Sequence, residues 1–145
     1  MAEPLTDAIV RVARLQRMLA QQLLRGVGLH LGQELVMMRL WEHGPQTQTE
    51  LVRALDSDSA TMTRTVRRLE EAGFVRRHPS PTDRRATIIE PTPAGHGVRR
   101  EVERIWARLE TSAVGTLTPA QQAEAIDVLR LLEANLRESG PPTIT

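Results

Sequence analysis

The side chains able to do chemistry gather between Thr47 and Ile89, and that chemistry is charge and hydrogen bonding rather than bond making. In the run Ser59-Ala60-Thr61-Met62-Thr63-Arg64-Thr65-Val66-Arg67-Arg68-Leu69-Glu70-Glu71, the residues Met62, Val66 and Leu69 share one face at helical spacing. Ala60, Arg64, Arg67 and Glu71 then project from the opposite face, flanked by Thr61, Thr63 and Arg68. A guanidinium makes paired bonds to guanine O6 and N7, and the methyls of Thr and Ala touch the thymine methyl, so this face suits a DNA major groove. Between Arg64 and Arg85 stand seven Arg and three acids, a local charge of +4 in a chain whose net charge is +1. Positive charge is thus concentrated where phosphates would be met.

The elements that must hold these groups follow from punctuation. Thr47-Gln48-Thr49-Glu50 is a capping box that starts a helix at about Gln48, with Leu51 and Leu55 facing inward. Asp56-Ser57-Asp58 breaks it with a polar turn before the next helix, which Gly73 closes. Phe74–His78 and Ala86–Ile89 are short strand candidates around a turn-rich loop, making a hairpin with Arg84 and Arg85 near its tip. Upstream, Leu5 to about Arg25 is a long amphipathic helix, and Gly32 to Glu42 is a second, broadly apolar one closed by Gly44-Pro45. Downstream, Thr92-Pro93 starts a helix expected to continue to about Val114, and Thr118-Pro119-Ala120-Gln121 starts the last. Its apolar set, Ile126 to Leu136, is too broad for one packed stripe, so a second surface must cover it.

These residues resemble the winged helix-turn-helix of the MarR family of bacterial transcriptional regulators. The likeness lies in Thr61-Met62-Thr63-Arg64 through Leu69-Glu70, in Gly73-Phe74-Val75-Arg76-Arg77, and in Asp83-Arg84-Arg85 followed by Thr92-Pro93-Ala94-Gly95. The last pair is similar to the family's D-x-R then T-x-x-G wing signature. The resemblance extends more loosely to Gly28–Gln33 and the flanking helices. It implies a mainly α fold with a small β-hairpin wing: a single domain over 1–145, with dimerisation helices at 5–25 and 93–137 around a winged helix-turn-helix at 32–91. Residues 138–145 are expected to fray.

On that footing the expected function is a sequence-specific double-stranded DNA-binding regulator, a homodimeric repressor on a pseudo-palindromic operator, released by a small aromatic or anionic effector. The expected DNA contacts are Thr61, Thr63, Arg64, Arg67 and Arg68, with Thr49 and Ser59 positioning phosphates near helix N-termini. In the wing, Arg84 or Arg85 enters the minor groove; the resemblance favours Arg85, with Asp83 orienting its guanidinium. Leu5, Ile9, Val12, Ile126, Leu129, Leu132 and Leu136 are expected at the dimer interface. The resemblance also implies an effector cleft, for which His30, Met38, Trp41 and Trp106 are candidates, each reading equally as ordinary core or surface and the two tryptophans more readily as core.

Rival readings are weaker. Arg67 and Arg68 would form an ordinary solvated face if paired with Glu70 or Glu71. All 19 basic residues are Arg, so the count says less than the distribution. A protein-interaction module meeting an acidic partner is the alternative function. His30, His43, His78 and His96 lack metal-ligand spacing and there is no cysteine, so no metal, cofactor, disulfide or thiol chemistry is expected. No nucleophile elbow, phosphate loop or dinucleotide fingerprint is present, so an enzyme is not expected. Neither a signal core nor a membrane-spanning run is seen, giving an expected cytoplasmic location without membrane contact.

Overall fold

The computed structural model describes residues 3–140, and the chain divides into two compact units, Met1–Leu109 and Glu110–Thr145. The first unit opens with α1 (Leu5–Leu24) and a single 3-10 turn at Arg25–Val27, closed by Gly28 in the left-handed region (φ 77°). Then come α2 (Gln33–His43), a two-residue strand β1 (Gln46–Thr47), α3 (Gln48–Ala54) and α4 (Ser59–Glu71). Strands β2 (Val75–Pro79) and β3 (Thr87–Pro91) precede α5 (Pro93–Gly97) and α6 (Arg99–Val114), the last of which carries Val102, Ile105 and Leu109 into the first unit's core. In the second unit α7 (Pro119–Ser139) starts at the expected capping box, with Thr118 and Gln121 satisfying each other's backbone N–H groups.

The expected hairpin is an antiparallel sheet of three strands in the order β1-β3-β2. Arg77 stands opposite Ile89 and His78 opposite Ile88, while β1 pairs Gln46 with Ile89 and Thr47 with Ile88. The extra strand is too short to carry a periodic signal; it exists because β3 would otherwise offer an unpaired edge. The helix expected to run unbroken from Pro93 to Val114 is interrupted at Val98, where two glycines, Gly95 and Gly97, weaken the first turns. At the C-terminus α7 includes 138 and 139, which were expected to fray; residues 141–145 of that tail lie outside the described residues.

The first unit's core includes Leu24, Leu29, Val36, Met37, Leu40, Leu51, Met62, Val66, Leu69, Val75 and Ile89 beside the three residues of α6, with Trp41, Phe74 and Trp106 packed at its margin. Leu51 and the set Met62, Val66 and Leu69 fill it as their spacing requires, which fixes the opposite face of α4 outward. The apolar residues of α1 and α7 differ: Leu5, Ile9, Val12, Ile126, Leu129 and Leu136 are exposed, Leu132 is half-buried, and no residue of α7 is buried. Among the described residues no helix is long and apolar enough to cross a membrane.

Candidate nucleic-acid interface

Helix α4 is held at both ends by local hydrogen bonds. Asp58 caps its start, with Oδ1 accepting the Thr61 N–H at 2.7 Å and Oδ2 accepting the Thr61 hydroxyl at 2.8 Å. The Thr61 N–H, then its hydroxyl, hold the Asp58 carboxyl below the ordinary carboxylate range. At the other end the Phe74 N–H reaches the Leu69 carbonyl at 2.9 Å and the Gly73 N–H that of Glu70 at 3.0 Å, a closure requiring the positive φ of Gly73 (86°). Helix α3 is pinned to α4 by the Gln48 side chain, whose Nε2 donates to Thr63 Oγ1 at 2.8 Å.

The predicted residues occupy three settings. Arg64, Arg67 and Arg68 are exposed on the outer face of α4, and Arg64 donates to Thr61 Oγ1 at 3.4 Å. The guanidiniums of Arg67, Arg68, Arg84 and Arg85 have no ion pair among the described residues. The rival pairing of Arg67 or Arg68 with Glu70 does not form, since Glu70 accepts both Arg77 Nε (3.2 Å) and Nη2 (3.0 Å). Arg76 is likewise engaged by Glu90 across the sheet. Two of the seven arginines in the basic window are therefore paired to acids of the same chain, although both remain exposed.

The threonines are less available than their spacing implied. Thr63 donates to the Ser59 carbonyl at 2.8 Å and accepts from Gln48, so its hydroxyl holds α3 and α4 together. The Thr61 proton goes to Asp58 and its oxygen accepts from Arg64, leaving one acceptor lone pair on an exposed residue. Gln48, unnamed among the expected site residues, is a positioning side chain; its place in the first turn of α3, facing α4 across the turn, was the available signal.

Thr49 and Ser59 meet Arg85 around one cleft of about 370 Å³, lined also by Thr47, Gln48, Val52 and Thr87. Helix starts and wing thus converge on one recess of mixed polar and apolar lining. Asp83, expected to orient the Arg85 guanidinium, instead accepts the Arg85 backbone N–H at 3.0 Å, because a short side chain two residues away reaches the main chain first. Asp83 shapes the loop and leaves the Arg85 side chain exposed. Thr92 and Gly95 are also scaffold: Thr92 donates to the Gly73 carbonyl at 2.5 Å and accepts the Gly95 N–H at 3.1 Å, and a Cβ on Gly95 would stand 2.0 Å from the Phe74 carbonyl oxygen.

A second feature of the first unit is a largely apolar cavity of about 300 Å³ lined by residues of α1, the loop before α2, α2 and α6, among them Ala20, Leu24, Leu35, Ile105 and Trp106. Of the four effector-cleft candidates only Trp106 lines it. Trp41 instead donates its indole N–H to the Gly95 carbonyl at 3.2 Å, tying α2 to α5, and His30 and Met38 lie off the walls. Gln16, Arg17 and Glu34 supply its polar groups and were not foreseen, since residues far apart in sequence and of mixed type carry no local pattern. Among the described residues no group of three or more His, Asp or Glu side chains is placed to hold a metal ion.

Comparison with known proteins agrees with this architecture. The MarR family model matches residues 29–87. The HTH-type transcriptional repressor NicR of Pseudomonas putida is 30% identical over 98 residues, 68% of this chain and 62% of that protein. The chain spans about three fifths of the length of the curated relatives it matches. Reduced AbfR bound to DNA is 30% identical, with 92% of this chain and 90% of that one covered at a TM-score of 0.79. BpsR of Bordetella bronchiseptica, whose DNA binding is regulated by 6-hydroxynicotinic acid, is 24% identical over 90% of this chain and 94% of that one, at a TM-score of 0.83.

Proposed function

The chain belongs to the MarR family of winged helix-turn-helix transcriptional regulators, which are not enzymes, and from that membership we propose that it is a sequence-specific repressor binding a pseudo-palindromic operator as a homodimer. Each α4 enters a major groove, and the two half-sites lie about one helical turn apart. Arg64 reads a base edge, Arg67 and Arg68 contact base or phosphate, and Thr61 contributes a methyl and an acceptor oxygen. Thr49 and Ser59 meet the phosphate backbone, Thr63 holds the reading face in place, and Arg84 or Arg85 enters the minor groove from a loop shaped by Asp83.

The observation that carries this reading is the division among the arginines. Arg76 and Arg77 are exposed but tied to acids, whereas the exposed Arg64, Arg67, Arg68, Arg84 and Arg85 of α4 and the wing tip have no ion pair among the described residues. A merely solvated basic face gives no reason for that division. The exposed apolar residues Leu5, Ile9 and Val12 of α1 and Ile126, Leu129 and Leu136 of α7, with Leu132 beside them, support a dimer built from these two helices. A small-molecule effector releases the DNA, in line with the regulation of DNA binding in BpsR by 6-hydroxynicotinic acid, and the cavity beside Trp106 is its candidate site. We place the protein in the cytoplasm, where its operator is.

The test is fluorescence anisotropy on duplex DNA from upstream of the protein's own gene against a scrambled duplex of equal composition, across several salt concentrations. Preference for the first duplex, with a log–log salt slope of several units, is expected. Absence of binding to either duplex at low salt overturns the reading in favour of a protein-interaction module.

A further inference from the structure

Among the arginines of α4 and the wing tip that lack an ion pair, Arg64 alone has its guanidinium in a hydrogen bond within the described residues, Nη2 donating to Thr61 Oγ1 at 3.4 Å. That bond is the last link of a chain that runs back to the start of α4. Thr61 Oγ1 gives its proton to Asp58 Oδ2 at 2.8 Å, and the Thr61 N–H goes to Oδ1 of the same carboxylate at 2.7 Å. A helix cap requires only the backbone bond. The hydroxyl bond is surplus to capping, and its effect is on direction. A carboxylate has no proton to give, so the Thr61 hydroxyl points its proton at Asp58 and turns its oxygen lone pairs toward Arg64. Guanidinium, hydroxyl and carboxylate thus donate in one direction, the arrangement in which each bond polarises the next.

We propose that Asp58 is a positioning residue for base reading: acting through the Thr61 hydroxyl, it holds the Arg64 guanidinium in one direction on the outer face of α4 and sharpens the preference that Arg64 imposes at one base pair. The inference rests on the reading of Arg64 as the base-contacting arginine. A long exposed side chain has many rotamers, and a wandering guanidinium finds phosphates on any sequence. Paired bonds to a guanine edge need the plane of the fork fixed, so restraint favours the right duplex over the wrong one. Arg67 and Arg68, on the same helix without such a bond, are free to follow phosphates. The Thr61 N–H, then its hydroxyl and more weakly the Arg64 charge, hold the Asp58 carboxyl below the ordinary carboxylate range, so the accepting end of the chain stays charged near neutral pH. A negative charge beside a phosphate-binding face weakens binding to every duplex. The direction it gives Arg64 offsets that loss on the correct sequence only, which is how an acid in this place raises specificity.

Anisotropy of the full chain on duplex DNA from upstream of its own gene, and on single base-pair variants of that duplex, tests this, with Arg64→Ala marking the position that Arg64 reads. Asp58→Asn keeps the cap, because the amide oxygen still accepts the Thr61 N–H, but its NH2 donates to Thr61 Oγ1 and turns the hydroxyl proton toward Arg64. Preference at the marked position should fall roughly fivefold, the scale of re-ordering one long side chain. Taking the ratio of matched to mismatched duplex cancels the general gain from removing a negative charge. Thr61→Val, which keeps the methyl, should fall as far, and Thr61→Ser, which keeps the hydroxyl, should stay within about twofold of the unaltered protein. A thymine contact by the methyl predicts the reverse order. Without DNA, NMR relaxation at Arg64 Nε should show the side chain ordered in the unaltered protein and in Thr61→Ser, and freer in Asp58→Asn and Thr61→Val. Loss of a cap alone does not produce that pattern, since all these variants keep the Thr61 N–H bond. Undiminished preference in both Asp58→Asn and Thr61→Val, or equal mobility of Arg64 throughout the series, overturns the proposal, and Arg64 remains the reader if Arg64→Ala still loses preference. An Arg64→Ala that keeps every base-pair preference refutes the reading of Arg64 itself, and the purpose of the relay with it.

Discussion

The reading head and the terminal helices use the same apolar residue types to opposite effect. In α3, α4 and the wing, Leu51, Met62, Val66, Leu69, Val75 and Ile89 are all buried, and the hydroxyls of Thr61 and Thr63 are spent on internal bonds. In α1 and α7, Val12, Leu129 and Leu136 are 64%, 60% and 67% exposed. The first region is complete within one chain, whereas the second holds apolar area worth about 25 cal/mol per Å² only when something covers it. On the proposed reading, the covered apolar residues belong to the part that presents side chains to DNA, and the exposed ones to the part that would meet a second copy.

The most damaging change to the complete region is Gly95→Ala. Its Cβ would lie 2.0 Å from the Phe74 carbonyl oxygen and 3.1 Å from Met37 Cε, and backbone cannot yield as a flexible side-chain end can. A loss on the order of 3 kcal/mol is expected in urea unfolding, the upper part of the usual overpacking range. Unfolding that matches the unaltered protein would mean that α5 and the turn before β2 shift apart freely, and the first region would then be no more rigid than the second.

The complementary change strikes the incomplete region. Leu129→Glu with Leu136→Glu should leave the first unit's melting intact, because neither residue contributes to its core. Light scattering should report a monomer, and operator affinity should fall on the order of 100-fold once two half-sites are no longer gripped together. A variant that stays dimeric places the interface elsewhere.

Within the reading head itself, Arg64→Ala and Arg77→Ala separate reading from scaffolding. Arg64 is exposed on the outer face, and its loss should cost about 1–3 kcal/mol of operator binding with relaxed preference at one base position. Arg77 is bonded to Glu70, so its loss should leave operator affinity nearly unchanged and cost stability by about 1 kcal/mol or less, as half-exposed ion pairs do. Equal losses of affinity would erase the division among the arginines. Arg84→Ala and Arg85→Ala, measured separately, then decide which of the two serves the minor groove.

Much of the fold was legible because caps, glycines and apolar spacing act locally: Thr47, Asp58, Gly73 and Thr118 stand where each helix begins or ends. The outward face of α4 followed from Met62, Val66 and Leu69 alone. What stayed hidden depends on pairs distant in sequence. Arg77 finds Glu70, Gln48 finds Thr63, and Trp41 finds Gly95 through contacts that no periodicity announces. Asp83 was assigned to a side chain and serves a backbone N–H, because sequence gives the neighbour but not which of its atoms is nearer.

The smallest expected effect concerns Glu34 of α2, outside the two regions compared and the one charged residue in the buried class among the described residues. Burial raises the Glu34 carboxyl above its ordinary value, so the folded chain keeps that proton to a higher pH than the unfolded chain does. Below roughly pH 4 both forms are protonated and the contribution is fully present. As pH climbs toward the raised folded value, the unfolded chain ionises first and stability falls; above that value the loss is complete and constant. Glu34→Gln removes this slope, so the variant should gain on the unaltered protein as pH rises from about 4 through the raised folded value, read from urea midpoints at each pH. Parallel pH profiles for the two proteins would show that the Gly32 N–H and the α2 N-terminus fully compensate the carboxylate. Such compensation would make the buried carboxylate of α2 as fully satisfied as the apolar core it adjoins, so this modest difference measures what the helix start supplies.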